Sequence, residues 1–146
     1  GSDRVLRAMN RRYDREHYLG LVRALRARIP DIVLTSDVIV GFPGETQEDF
    51  EQTLSLIEEV GYDALFTFIF SPRRGTPAEK LDDPMPKAQK SANFQRLVQR
   101  QNEISAQKHA AYIGRTLRCL VDGVGHDGKL SARTAGGRLV HLDGPE

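Results

Sequence analysis

Residues 35–50, TSDVIVGFPGETQEDF, constrain this chain more than any other stretch. They read as a strand, a tight turn and a helix. Residues 32–40 are apolar and β-branched, the composition of a strand buried on both faces in a parallel sheet covered by helices. Asp37 interrupts that run. Because side chains alternate along a strand, Asp37, Ile39 and Gly41 share one face, and Ser36, Val38 and Val40 share the other. A carboxylate buried in mid-strand needs an ion or hydrogen-bond partner. The turn GFPGE supplies Gly41 and Gly44 for unusual backbone angles and Pro43 for stiffness. Thr46 is the expected N-cap, with Asp49 three residues on as a variant capping box, and Glu48 and Asp49 suit the positive end of the helix. In barrels and open α/β sheets, ligands sit at the carboxyl ends of parallel strands, where this turn falls.

The flanking sequence repeats the pattern. Residues 4–9 are expected to form a short helix, followed by a basic loop at 10–13. Asp14 can cap the next helix, in which Tyr18, Leu21, Val22, Leu25 and Ile29 fall on one face before Pro30 and Asp31 end it. The helix after Thr46 turns Phe50, Leu54 and Ile57 inward, and Gly61 is its expected C-cap. Residues 64–70, ALFTFIF, predict a second buried strand. Its Thr67 shares a face with Ile69 and Ser71, and Phe66, Phe68 and Phe70 form an apolar face expected to pack on helices. Helix, strand, helix, strand is a β/α repeat with a parallel sheet. A Pro- and Gly-rich loop at 71–86 leads to one long helix over 87–112, with Phe94, Leu97, Val98 and Ile104 inward and Gly114 as its stop. Beyond it the periodicity falls to two. TLRCLV, KLSAR and RLVHL read as short strands separated by glycines at 123–128 and 136–137, a small all-β appendage.

Composition excludes several classes. At 146 residues and 39% hydrophobic content the chain can bury a core. It has no apolar run of membrane-spanning length and no basic-then-apolar signal segment, so a cytoplasmic location without membrane contact is the expectation. It starts at Gly1 without an initiator Met, as an excised piece would. The single cysteine, Cys119, rules out an internal disulfide and any site built from several thiolates of this chain, and the four histidines lack ligand spacing. A net charge of +1 hides an asymmetry. Residues 45–63 carry seven acids and no base, whereas 87–115 carry six bases against Glu103 alone. That distribution suits a polyanion on one side.

Taken together, SDRVLRAMNRRYDREHYLGLV, SDVIVGFPGETQEDF, FTFIFSPRRGTPA and KLSARTAGGRLVH resemble the tRNA methylthiotransferases of the radical S-adenosylmethionine superfamily, MiaB type. The resemblance covers essentially the whole chain. SPRRGTPA is closer to the tRNA-modifying type than to the related ribosomal-protein methylthiotransferases. The resemblance implies an α/β fold in two parts: residues 1–113 as the C-terminal portion of a partial (β/α) radical SAM barrel, and 114–146 as a truncated TRAM module, OB-like and all-β. It implies an enzyme that cleaves S-adenosylmethionine at a 4Fe-4S cluster and installs a methylthio group at C2 of an isopentenylated adenosine beside the anticodon. The partners so implied are a tRNA anticodon stem-loop and the N-terminal half of the parent. The family's cluster cysteines have no counterpart here, so the chain alone is expected to be inactive.

Site residues follow by matching position. Arg11, in the MNRR loop, corresponds to an arginine that meets the methionyl carboxylate, which suits a guanidinium fork. Asp37 matches a carboxylate facing the cofactor's amino or ribose groups, or else forms a structural ion pair, Arg11 being one candidate partner. Ile39 is the implied adenine contact. Thr67 and Ser71 either touch the adenine edge or bond the backbone. Arg73 and Arg74 are candidates for tRNA phosphates. Arg115, Arg118, Lys129, Arg133 and Arg138 suit RNA backbone contact on a small barrel. Two other classes compete. A non-catalytic RNA-binding module fits the missing cysteines but would expose strand edges. A cluster-free aldolase-type barrel needs a strand lysine, which neither predicted strand has.

Overall fold

The computed structural model describes residues 1–125 and 128–144. The chain divides into two compact units, Gly1–Ala111 and Tyr112–Glu146. His126, counted above among the four histidines, lies outside the described residues.

The first unit runs α1 (Asp3–Ala8), α2 (Arg15–Arg28), β1 (Thr35–Val40), α3 (Gln47–Val60), β2 (Ala64–Ile69), a 3₁₀ turn (Pro77–Lys80) and α4 (Lys87–Ala110). β1 and β2 pair in parallel as a two-stranded sheet. β1 begins at Thr35, later than residue 32. The cause is Asp63, whose carboxylate accepts from the Leu34 N–H at 2.9 Å while its own N–H donates to the Leu34 carbonyl at 2.8 Å. Val40, Phe50, Ile57, Val60, Tyr62, Leu97 and Ile104 join Leu19 and Val22 in one buried cluster.

The local signals hold where they are local. Asp14 caps α2 by accepting from the His17 N–H. Thr46 and Asp49 form a capping box on α3, which closes at Gly61 with φ 55°. α4 stops at Ala110, slightly short of residue 112.

Three expectations are corrected. α2 buries Leu19 and Val22, leaving Leu21, Leu25 and Ile29 exposed, because Arg26 completes that face by donating to the Val60 carbonyl at 2.5 Å. β1 is not buried on both faces, and Asp37 is exposed. The third concerns β2. In the parallel register Asp37 is opposite Phe66, Ile39 opposite Phe68, and Val38 opposite Thr67. Paired residues share a face, so Phe66 and Phe68 stand with Asp37 and Ile39, away from the helices, at 61% and 53% exposure. Thr67 lies on the opposite face.

The second unit is a three-stranded antiparallel sheet in the order β3 (Cys119–Val124), β4 (Leu130–Thr134), β5 (Leu139–Leu142). Gly123 does not separate strands. It lies within β3, where the register shifts between Val121 and Gly123. Ala132 is fully buried, whereas Leu120, Val121, Val124 and Leu139 are exposed.

Candidate functional site

Arg11 owes its position to the end of α1. Met9 caps the helix, Asn10 adopts a left-handed φ of 57°, and the N–H groups of Asn10 and Arg11 donate to the carbonyls of Arg7 (2.9 Å) and Leu6 (2.8 Å). This is a Schellman closure with asparagine in place of glycine. It sends the Arg11 side chain to the wall of a cavity of about 150 Å³ that Asp37, Ile39, Met9, Tyr13, Tyr18 and Glu45 also line. Residues from both faces of β1, Ser36 and Val38 as well as Asp37 and Ile39, line it, so it runs along the strand edge that β2 leaves free. Among the described residues neither Arg11 nor Asp37 has a side-chain hydrogen bond or ion pair, and both are exposed. The cavity therefore carries a guanidinium, a carboxylate and apolar surface. That donor set suits an amino-acid zwitterion joined to an aromatic base.

Thr67 and Ser71 do not join it. Thr67, paired with Val38 from β2, and Ser71, exposed beyond β2, are not among the residues that line it.

Two carboxylates shape the site beyond what the sequence reading gave them: Glu45 had no role there, and Asp49 only its place in the helix cap. Glu45 is buried and accepts from the Gly41 N–H at 2.5 Å; burial pushes its carboxyl up, against the pull of that hydrogen bond. Asp49 collects donors from three residues in two segments. Ser2 Oγ reaches Oδ1 at 2.6 Å, Arg4 pairs with Oδ2, and the Thr46 N–H and hydroxyl reach Oδ2 at 2.8 and 2.7 Å. Burial would raise its carboxyl, but the hydrogen bonds from Arg4, Ser2 and Thr46 outweigh it and hold the group well below the usual carboxylate range. Asp49 thereby staples α1, and the Arg11 loop behind it, to the start of α3. The capping box was readable; its partners 45 and 47 residues away were not.

Arg73 and Arg74 are exposed on a turn in which the Arg73 carbonyl accepts from the Thr76 N–H and hydroxyl. In the second unit Arg133 pairs with Asp122 at 2.7 Å and Lys129 with Asp143 at 3.1 Å. Arg115 and Arg138 lie over the Tyr112 ring at 5.3 and 4.9 Å from its centroid, and Arg118 is exposed. Among the described residues no group of His, Cys, Asp and Glu could hold a metal ion, and no helix is long and apolar enough to cross a membrane.

Residues 1–57 match the family model described as the radical SAM superfamily. The resemblance to the tRNA methylthiotransferases is borne out along the whole chain. It is 50% identical over 146 residues, 99% of its length, to the tRNA-2-methylthio-N(6)-dimethylallyladenosine synthase of Clostridium botulinum. It is 49% identical over 148 residues to the protein of the same name from Clostridium perfringens. The chain spans about a third of these relatives, 32% and 33% of their lengths.

Proposed function

We propose that this chain is the part of a tRNA methylthiotransferase that completes the S-adenosylmethionine site and faces the RNA. The reaction is transfer of a methylthio group to C2 of an adenosine bearing a dimethylallyl (isopentenyl) group, next to the anticodon. The observation that carries the reading is identity of 50% along 99% of the chain to a synthase of that product. Residues 1–113 are then the closing portion of a radical SAM barrel, 114–146 a partial TRAM module, and the setting cytoplasmic. S-adenosylmethionine supplies the radical chemistry at a 4Fe-4S cluster, whose cysteines the rest of the parent would contribute.

The residues of this chain bind and orient. Arg11 offers two parallel donors to the methionyl carboxylate, Asp37 accepts from the ammonium or ribose, and Ile39 gives the base an apolar contact. Arg73 and Arg74 contact tRNA phosphates. Arg115, Arg118, Lys129, Arg133 and Arg138 give the second unit its electrostatic attraction, with Lys129 and Arg133 exchanging an acid partner for phosphate. A free-standing RNA module is the weaker alternative, since Ile39, Phe66 and Phe68 would remain exposed on a sheet face.

Calorimetry with S-adenosylmethionine and an isopentenylated anticodon stem-loop tests the reading. Wild type is expected to bind both. Arg11→Ala and Asp37→Ala should each weaken the cofactor by about tenfold or more, and log affinity for RNA should fall steeply with log salt. A chain that binds cofactor equally well with both substitutions would remove this cavity as the site. RNA binding without cofactor binding would favour the module.

A further inference from the structure

Lys90 is a buried cation that the site above does not use. Its side chain is 7% exposed. The stem passes against Gly41: a Cβ on that glycine would stand 2.7 Å from Lys90 Cδ and 2.8 Å from Cγ. Its ammonium lies 5.9 Å from the centroid of the Phe70 ring, at the end of β2, and reaches Asp83 Oδ2 at 2.5 Å. One side chain on α4 thus touches the turn after β1, the exit of β2, and the loop 71–86. Apart from the Pro86 carbonyl, which accepts from the Lys90 N–H where α4 begins, that loop's other described hydrogen bonds are internal, among Arg73, Gly75, Thr76, Ala78, Glu79 and Leu81.

Lys90 is buried but Asp83 is exposed; an ion pair of this kind adds little net stability over an apolar residue of the same shape as the lysine, and its better-attested use is to specify position. A methionine would fill this channel equally well. What the ammonium adds is a fixed point for Asp83. We propose that Lys90 is a positioning residue that latches the 71–86 loop, with Arg73 and Arg74, at the carboxyl edge of the β1–β2 sheet. The latch itself stands on geometry alone; its consequence for RNA rests on the function proposed above.

Trypsin reports the latch directly, because Arg73 and Arg74 are cleavage sites within the loop. The variants are K90M, which keeps the packed stem, D83N, and K90M/D83N. Where loop opening precedes cleavage, the rate follows the open population. Each single variant should be cut after Arg73 and Arg74 about fivefold to thirtyfold faster than wild type, from the loss of one charge-assisted bond. The double variant should be no faster than the faster single, and cleavage at the arginines of α2 and α4 should be unchanged. Unaltered loop cleavage would overturn the latch. So would equal acceleration at sites throughout the first unit, since that marks general destabilisation. K90M should also weaken stem-loop binding by about threefold to tenfold, with cofactor affinity unmoved. A loosened loop that binds RNA as tightly as wild type would overturn the positioning of Arg73 and Arg74. Absence of RNA binding by wild type would instead sink the proposed function and leave the proteolysis result to decide the latch.

Discussion

Asp49→Asn isolates the staple between α1 and α3. Every group around the carboxylate is a donor: Ser2 Oγ on Oδ1, and Arg4, the Thr46 N–H and the Thr46 hydroxyl on Oδ2. An asparagine can keep one acceptor. Its amide NH₂ must face the Ser2 hydroxyl, which can rotate to accept, so its oxygen stays on Thr46 and the cap survives in weakened form. The bond to Arg4 loses its charge assistance, but the Arg4 side chain is 54% exposed, so solvent screens it and its weakening adds little to the cost. The weaker cap costs about 1 kcal/mol. That lowers Tm by roughly 4 °C for a unit of this size. Because the staple fixes the helix that ends at Arg11, affinity for S-adenosylmethionine should also fall by about threefold to tenfold, although Asp49 does not line the cavity. Melting by circular dichroism and calorimetric titration read the two effects. Arg4→Gln should reproduce only the part of the loss due to that bond, leaving the Thr46 cap intact, and the double variant should be no less stable than D49N. A D49N protein melting within about 2 °C of wild type, or full additivity with R4Q, would refute the staple.

Gly41→Ala should destabilise by about 2 kcal/mol or more, because φ is +73° and the new methyl would meet the confined stem of Lys90 at 2.7 Å; urea unfolding measures it, and a loss below about 0.5 kcal/mol would mean that the turn repacks freely. The two buried carboxylates predict opposite pH effects. Asp49 is held below its ordinary 3.8, so its contribution is complete above that value and is lost as pH falls toward the folded-state pKa. Glu45 is raised above its ordinary 4.5, so its ionised form costs stability at neutral pH and that cost is relieved as pH falls through the raised value. Glu45→Gln removes the relief alone, so its stability should fall more steeply than that of wild type between about pH 7 and 4; parallel curves would exclude Glu45 as a strained carboxylate.

What was legible in the sequence was what neighbours in the chain decide. Asp14, the Thr46–Asp49 box and Gly61 cap their helices through bonds spanning three or four residues, so the residue types alone locate them. Asp37 and Ile39 could be placed on one face by counting. Contacts across long separations could not. Nothing in SDR marks Ser2 and Arg4 as partners of Asp49, and nothing in the long helix distinguishes Lys90 from Lys87, yet Lys90 is buried against a glycine 49 positions earlier and Lys87 is exposed. The inward face of α2 was missed because an arginine completes it, and an apolar count does not register a guanidinium seated on a helix-end carbonyl.

The reversal of β2 carries the most information. In ALFTFIF the phenylalanines alternate with Leu65, Thr67 and Ile69, and the more apolar set is the natural choice to cover with helices. The structure packs Leu65 and Val38 against the core and turns Phe66 and Phe68 outward. Register decides this, since Val38 and Val40 must join Phe50 and Leu97 in the core, and whatever pairs with them follows. A two-stranded parallel sheet with two exposed phenylalanines beside an aspartate and a free edge is a poor surface for a self-sufficient domain. It is the expected surface of a segment spanning a third of its relatives' length. On the function proposed above, the face bearing Asp37, Ile39, Phe66 and Phe68 would turn toward the cofactor and the base. On that reading Phe66 and Phe68, and not Thr67 and Ser71, are what β2 contributes beside Ile39.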